Sequence, residues 1–261
     1  MASFNVSYAQ KPDTAKTDDK TEIKVLEERV KLSEFINKLE QAKLENEYSV
    51  LDWLIKSQVI IKNGEYSNAV DYLNKSIELE PNNKIAYNSR GYCYLALEQF
   101  KEATEDFNYA IHLDSGFAIA YSNRSRAYNF LNDFNNAVKD IKKAIELNPS
   151  LPIYYSNLST TLILMNKYEE ALENIDKAIL LSTHDESVLT ILYYKKYVIL
   201  KILNKETKDS EIFLNNLLEK EINLEWFKLD SFVHLLSKID FSEDIKKFIQ
   251  EKTELLKEKM K

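Results

Sequence analysis

Three histidines, three glycines and one cysteine are the raw material from which this chain would have to build catalysis. His112, His184 and His234 lie far apart, and none belongs to a pair with metal-ligand spacing. Phosphate-cradling loops need clustered glycines, but Gly64, Gly91 and Gly116 are scattered singly. Serine, histidine and aspartate are present without a nucleophile-elbow signature such as G-x-S-x-G. Cys93 stands alone, which excludes an internal disulfide and a thiolate metal site and suits a small buried apolar residue. The expectation is a non-enzymatic protein without cofactor or metal.

The elements that must position any binding residue are legible in a repetition. Residues 84–117 and 118–151 align at an offset of 34, so that Tyr87 falls on Tyr121, Tyr94 on Tyr128, Phe100 on Phe134, Ala103 on Ala137 and Ala110 on Ala144. A fixed period of this size signals stacked supersecondary units. The period extends over four units, 50–83, 84–117, 118–151 and 152–185. Their fourth residue is large (Trp53, Tyr87, Tyr121, Tyr155) and their eighth small (Ser57, Gly91, Ser125, Ser159). The eleventh is Ile60, Tyr94, Tyr128 or Leu162, and the seventeenth is Tyr66, Phe100, Phe134 or Tyr168. The twentieth is alanine each time (Ala69, Ala103, Ala137, Ala171). Leu73, Phe107, Ile141 and Ile175 follow at the twenty-fourth position, and Ser76, Ala110, Ala144 and Ala178 at the twenty-seventh. Large residues seven apart form one stripe of a first helix, and the small ones let an antiparallel second helix approach closely. Gly64 falls in the hairpin of the first unit, Gly91 at a packing position, and Gly116 between units.

The rest of the chain reads around this array. Only three glycines and four prolines in 261 residues disfavour a turn-rich β fold. A net charge of −7 argues against nucleic acid, which is held by clustered lysine and arginine. No apolar run of membrane-spanning length and no secretion signal occurs, so no membrane contact and a cytoplasmic location are expected. Residues 1–20 read as a loose tail. Residues 21–49 read as an amphipathic helix carrying Ile23, Leu26, Val30, Phe35 and Leu39. Residues 186–261 read as a divergent repeat and a helical C-terminal cap, with apolar clusters at Trp226–Phe227 and Phe232–Leu236.

The pattern resembles the tetratricopeptide repeat family, whose units are 34-residue helix–turn–helix pairs with this alternation of large and small residues. The resemblance covers Val50–Asp185, with Ser115 and Thr183 in place of the closing proline that Pro81 and Pro149 supply at the thirty-second position, and with Lys56, Arg90 and Arg124 where aliphatic residues are common. It implies an all-α, right-handed superhelical solenoid, flanked here by the N-terminal helix and the C-terminal cap. It also implies a concave groove lined by positions 2, 5, 9, 12 and 13 of each first helix. Those positions hold Leu51, Leu54, Gln58, Ile61 and Lys62, then Ile85, Asn88, Tyr92, Leu95 and Ala96. The third unit supplies Ile119, Ser122, Arg126, Asn129 and Phe130, and the fourth Ile153, Ser156, Thr160, Ile163 and Leu164. None is acidic, and apart from Asp52 the acids of the array fall on second helices and turns, where charge serves solvation.

The groove implied is apolar, rich in asparagine and hydroxyl groups, and mildly positive. The expected function is an adaptor or scaffold that holds an apolar and acidic peptide segment of a partner protein. Asn88, Tyr92, Asn123, Arg126, Asn129 and Phe130 are the candidate partner-binding residues, with asparagines clamping the peptide backbone and Arg126 taking a carboxylate. The alternative is a structural homo-oligomer, in the simplest case a homodimer, assembled through the terminal helices. The subgroup that clamps chaperone C-termini is disfavoured, because its Lys and Arg positions fall here on Leu54, Ile119 and Asn123, or one unit later on Asn88, Ile153 and Asn157.

Overall fold

The computed structural model describes residues 49–182, 186–218, 232–239 and 241–259. The tail, the N-terminal helix as far as Tyr48, and Trp226–Phe227 lie outside the described residues. Eleven helices are described: α1 (Val50–Lys62), α2 (Tyr66–Leu79), α3 (Lys84–Ala96), α4 (Phe100–Leu113), α5 (Ala118–Phe130), α6 (Phe134–Leu147), α7 (Pro152–Leu164), α8 (Tyr168–Leu181), α9 (Glu186–Ile202), α10 (Lys208–Leu218) and α11 (Glu243–Lys259). A further helical turn spans residues 232–236. No strand occurs among the described residues. Consecutive helices pack as antiparallel pairs, and each pair stacks on the next, giving the all-α solenoid.

Local chemistry starts and stops these helices where the period requires. Ser49 and Asp52 cap α1 reciprocally, the Ser49 hydroxyl accepting from the Asp52 N–H and the Asp52 carboxylate accepting from the Ser49 N–H. Asn83 accepts from the first-turn amides of Ile85 and Ala86 in α3, and Asp133 accepts from Asn136 in α6. Pro152 opens α7, where its missing N–H costs nothing. Every first helix of the four units ends at a residue with left-handed backbone: Gly64, Glu98, Asn132 and Asn166. The amide after it bonds a carbonyl five residues back, as in Gln99 N to Tyr94 O (2.8 Å) and Asp133 N to Tyr128 O (2.9 Å).

The small and large positions meet as their spacing predicts. Ala69, Ala103, Ala137 and Ala171 are fully buried, as are Leu73, Phe107, Ile141 and Ile175. Gly91 faces Phe107, the bulkiest residue in its column, whereas Ser57, Ser125 and Ser159 belong to units with Leu73, Ile141 and Ile175. The glycine makes room for the ring.

The structure corrects the reading of the charges. Arg90 and Arg124, which stand where aliphatic residues are common, each pair with an aspartate of the second helix of their own unit. Arg90 donates to both carboxylate oxygens of Asp106 (2.8 and 2.7 Å) and to Asn74 Oδ1 of the preceding unit (2.7 Å). Arg124 repeats the arrangement on Asp140 (2.6 and 2.7 Å) and Asn108 (2.6 Å). Each guanidinium thereby ties its own second helix to the one before, and these bases strengthen the joints between units. Asp106 and Asp140 are buried rather than solvating the convex face. Burial pushes the Asp106 carboxyl up, against the opposing pull of Arg90. In the first unit Lys56 lies over the Tyr72 ring instead, at 4.6 Å.

Beyond the four units, α9 and α10 form a fifth hairpin. It reuses the turn, with Asn204 left-handed and Lys205 N bonding Leu200 O at 2.9 Å. At 17 residues α9 is one turn longer than the 13-residue first helices before it, which displaces the fifth turn from the 34-residue period. α7 is buried on all sides from Tyr154 to Leu164, because α5, α8, α9 and the segment at 232–236 surround it.

Candidate peptide-binding groove

First helices carry one stripe each toward the concave side. In α5 it runs Ile119, Ser122, Arg126 and Asn129; in α7, Ile153, Ser156 or Asn157, and Thr160; in α3, Asn88 and Tyr92. These stripes, with Gln58 and Ile61 of α1, line a cavity of about 610 Å³ closed at its far end by α9. All six candidate residues border it. Leu54, Leu95 and Leu164, read as groove positions, are buried in packing clusters instead.

The polar lining is knitted together. Asn123 Nδ2 donates to Asn88 Oδ1 (3.1 Å), and Asn157 Nδ2 donates to Ser122 Oγ (3.0 Å), so that each bond joins consecutive units. Asn129 Nδ2 donates to Thr161 Oγ1 (3.0 Å), while its buried Oδ1 has no hydrogen-bond partner among the described residues. These asparagines therefore hold the wall as well as bordering the cavity. Arg126 lies over the Tyr92 ring at 5.8 Å, and Tyr66 meets the same ring edge-on at 6.3 Å. Phe130 stacks on Phe100 at 4.5 Å and is only 8% exposed.

Two contributions escape a reading of the repeats alone. The first is Lys195 of α9, buried against the cavity, whose Nζ donates to Ser156 Oγ and Thr160 Oγ1 (both 2.9 Å) and lies 4.9 Å from the Phe232 ring. Paired lysines inside the apolar run ILYYKKYVIL were the available signal: Lys196 turns outward to Asp176 (2.6 Å), and Lys195 inward. The second is the segment 232–239, which packs across the ends of the first helices. Leu235 joins Leu95, Phe130 and Leu164, and Lys238 Nζ donates to the Phe130 carbonyl (2.8 Å). Burial holds the Lys238 ammonium below the ordinary lysine value.

A tetratricopeptide repeat model matches residues 53–83, 118–151 and 153–185, and a second model of the same repeat matches 72–105. The chain is a tetratricopeptide repeat protein. Among solved structures, the thermophilic tetratricopeptide repeat protein TTC0263 of Thermus thermophilus is 17% identical, covers 66% of this chain and 100% of its own, and has a TM-score of 0.53. MamA (41-end) from Desulfovibrio magneticus RS-1 is 15% identical, covers 65% of this chain and 93% of its own, and has a TM-score of 0.52. Both likenesses show the fold. The first repeat domain of Spaghetti (RPAP3), bound to an HSP90 peptide, is 27% identical, covers 45% of this chain and 94% of its own, and has a TM-score of 0.44. No curated protein matches the chain in sequence.

The tetratricopeptide repeat fold is a protein-interaction scaffold, and its concave face is where this chain's cavity lies. Among the described residues no cluster of His, Cys, Asp or Glu could hold a metal ion. None of the described helices is long and apolar enough to cross a membrane.

Proposed function

We propose that this tetratricopeptide repeat protein is an adaptor holding a short peptide segment of a partner protein in its concave cavity. The observation that carries the reading is the convergence of Tyr92 and Arg126, from neighbouring repeats, on one cavity with apolar walls at Ile61, Ile119 and Ile153. A cavity of about 610 Å³ accepts a few side chains rather than a whole helix. The aliphatic walls favour an apolar segment, and Arg126 favours an acidic group within it. Asn88 and Asn123 bond each other along the wall and present their remaining amide groups to the peptide backbone.

The test is capture from native lysate by the full chain and by its Tyr92→Ala/Arg126→Glu variant, both checked for an unchanged melting temperature. Partners retained by the first and lost by the second are expected. Equal capture by both overturns the groove reading. If the retained partner is a second copy of the chain, seen as a stable dimer by light scattering, the structural homo-oligomer takes its place.

A further inference from the structure

One end of the concave face already has an occupant. The helical turn at 232–236, continued to Ile239, lies over a surface built by three successive repeats: Leu95 at the end of α3, Phe130 at the end of α5 and Leu164 at the end of α7. Leu235 fills the space between them, and Ile239 packs beside it. The polar contacts are equally directed. Lys238 places its ammonium on the terminal carbonyl of α5, at Phe130 O, and 3.4 Å from Asn132 Oδ1, where the negative end of the helix dipole favours a cation. His234 lies 3.8 Å from the Glu98 carboxylate and meets the Phe130 ring edge-on at 5.6 Å.

The occupant is small. On this side it presents two aliphatic residues four apart, one lysine and one histidine, while His234, Ser237 and Lys238 remain largely exposed. Its other face, Phe232 and Leu236, belongs to a separate cluster with Tyr154, Leu192 and Tyr194. The receiving surface, by contrast, is composed of repeat residues that also pack on Ala103, Phe107 and Ala127, independently of the segment.

We infer that the surface formed by Leu95, Phe130, Leu164 and the end of α5 is a docking site for a short amphipathic helix. Its ligand carries aliphatic residues four apart and a lysine three beyond the first, and residues 232–239 occupy it as an internal ligand that a partner helix of this chemistry replaces. This rests on the groove reading and deepens it, because a partner whose peptide fills the cavity meets the docking site at its edge and must displace the chain's own segment to extend. Anchorage by a few side chains is of the size that a peptide can match. An occupied site lowers apparent affinity by the fraction of time that it is vacant.

The experiment uses the full chain and a fluorescent synthetic peptide of residues 230–241. Leu235→Asp/Lys238→Glu in the chain removes the aliphatic anchor and places an anion against the end of α5, leaving Phe232 and Leu236 untouched. The variant is expected to bind the peptide about tenfold or more tightly than the unaltered chain in fluorescence anisotropy. The peptide carrying Leu235→Asp is expected to lose that binding. A folded variant that binds no better than the unaltered chain overturns the proposal. If the double variant loses its cooperative melt, Lys238→Glu alone, a change at an exposed residue, must show the gain, and its absence overturns the proposal equally. Concentration-dependent dimers of the unaltered chain would assign the site to a second copy's segment and overturn the partner reading. The substitutions here lie at Leu235 and Lys238 rather than at Tyr92 and Arg126, so that failure here is separable from failure of the cavity reading.

Discussion

Phe107 stands where Gly91 has no side chain: a Cβ on Gly91 would lie 2.7 Å from Phe107 Cε1. The other three units place serine at the glycine's position and leucine or isoleucine at the phenylalanine's. Gly91→Ser should therefore destabilise by about 1–3 kcal/mol through overpacking. Phe107→Leu should cost about 1–3 kcal/mol by leaving a void. The double variant restores the combination found in the first unit and should lose less than the sum of the two. Urea unfolding of all four proteins gives the coupling, and simple additivity would show that the pair does not pack as described.

The bidentate pair of Arg124 and Asp140 makes a second test. The Asp140 side chain is 6% exposed, so Arg124→Leu leaves a buried carboxylate without its guanidinium. The expected loss is about 2–4 kcal/mol. The fourth unit carries Leu158 and Asn174 at the equivalent places. Arg124→Leu/Asp140→Asn should accordingly recover most of the loss, as read from denaturant midpoints.

Glu98 is the one turn residue in the four units that is neither glycine nor asparagine, and it holds a φ of 60°. A β-carbon is disfavoured in that conformation, and a glutamate side chain gains no local hydrogen bond there as asparagine does. Glu98→Gly should raise stability by about 0.5–1 kcal/mol. A lower melting temperature would instead show that the contact of Glu98 with His234 outweighs the backbone strain.

Burial pushes the Cys93 thiol and the Tyr194 phenol each up to about 12. An acid that keeps its proton longer in the folded chain contributes fully below its unfolded value, near 8.5 for cysteine and about 10 for tyrosine. That contribution is lost as the pH rises through the folded value. The melting temperature should thus fall steadily above pH 8.5, and Cys93→Ala should flatten the fall between pH 8.5 and 10. Iodoacetamide at pH 8 should label Cys93 only under unfolding conditions, and labelling of the folded chain would contradict the burial.

Positions that recur in four units were legible because each unit repeats the same local contact. Ala69, Ala103, Ala137 and Ala171 are small for one reason, and that reason is written four times. The ties from Arg90 to Asp106 and from Arg124 to Asp140 also recur, 16 residues apart, yet their place on second helices assigned these acids to solvent. Orientation around a helix depends on what the neighbouring unit offers, here Asn74 and Asn108.

By itself the sequence determined the helical hairpins and their period, because both follow from spacing within about one repeat, while the inward stripe and the six candidate residues came from the resemblance to the tetratricopeptide repeat family. Only the tertiary structure decided that Asn88 and Asn123 hold each other, that Lys195 is folded inward, and that residues 232–239 lie on Phe130. Lys238 reaches the Phe130 carbonyl across 108 positions of chain. A contact made once, between segments so distant, has no internal copy to reveal it, and its partner is chosen by the shape the stacked repeats leave uncovered.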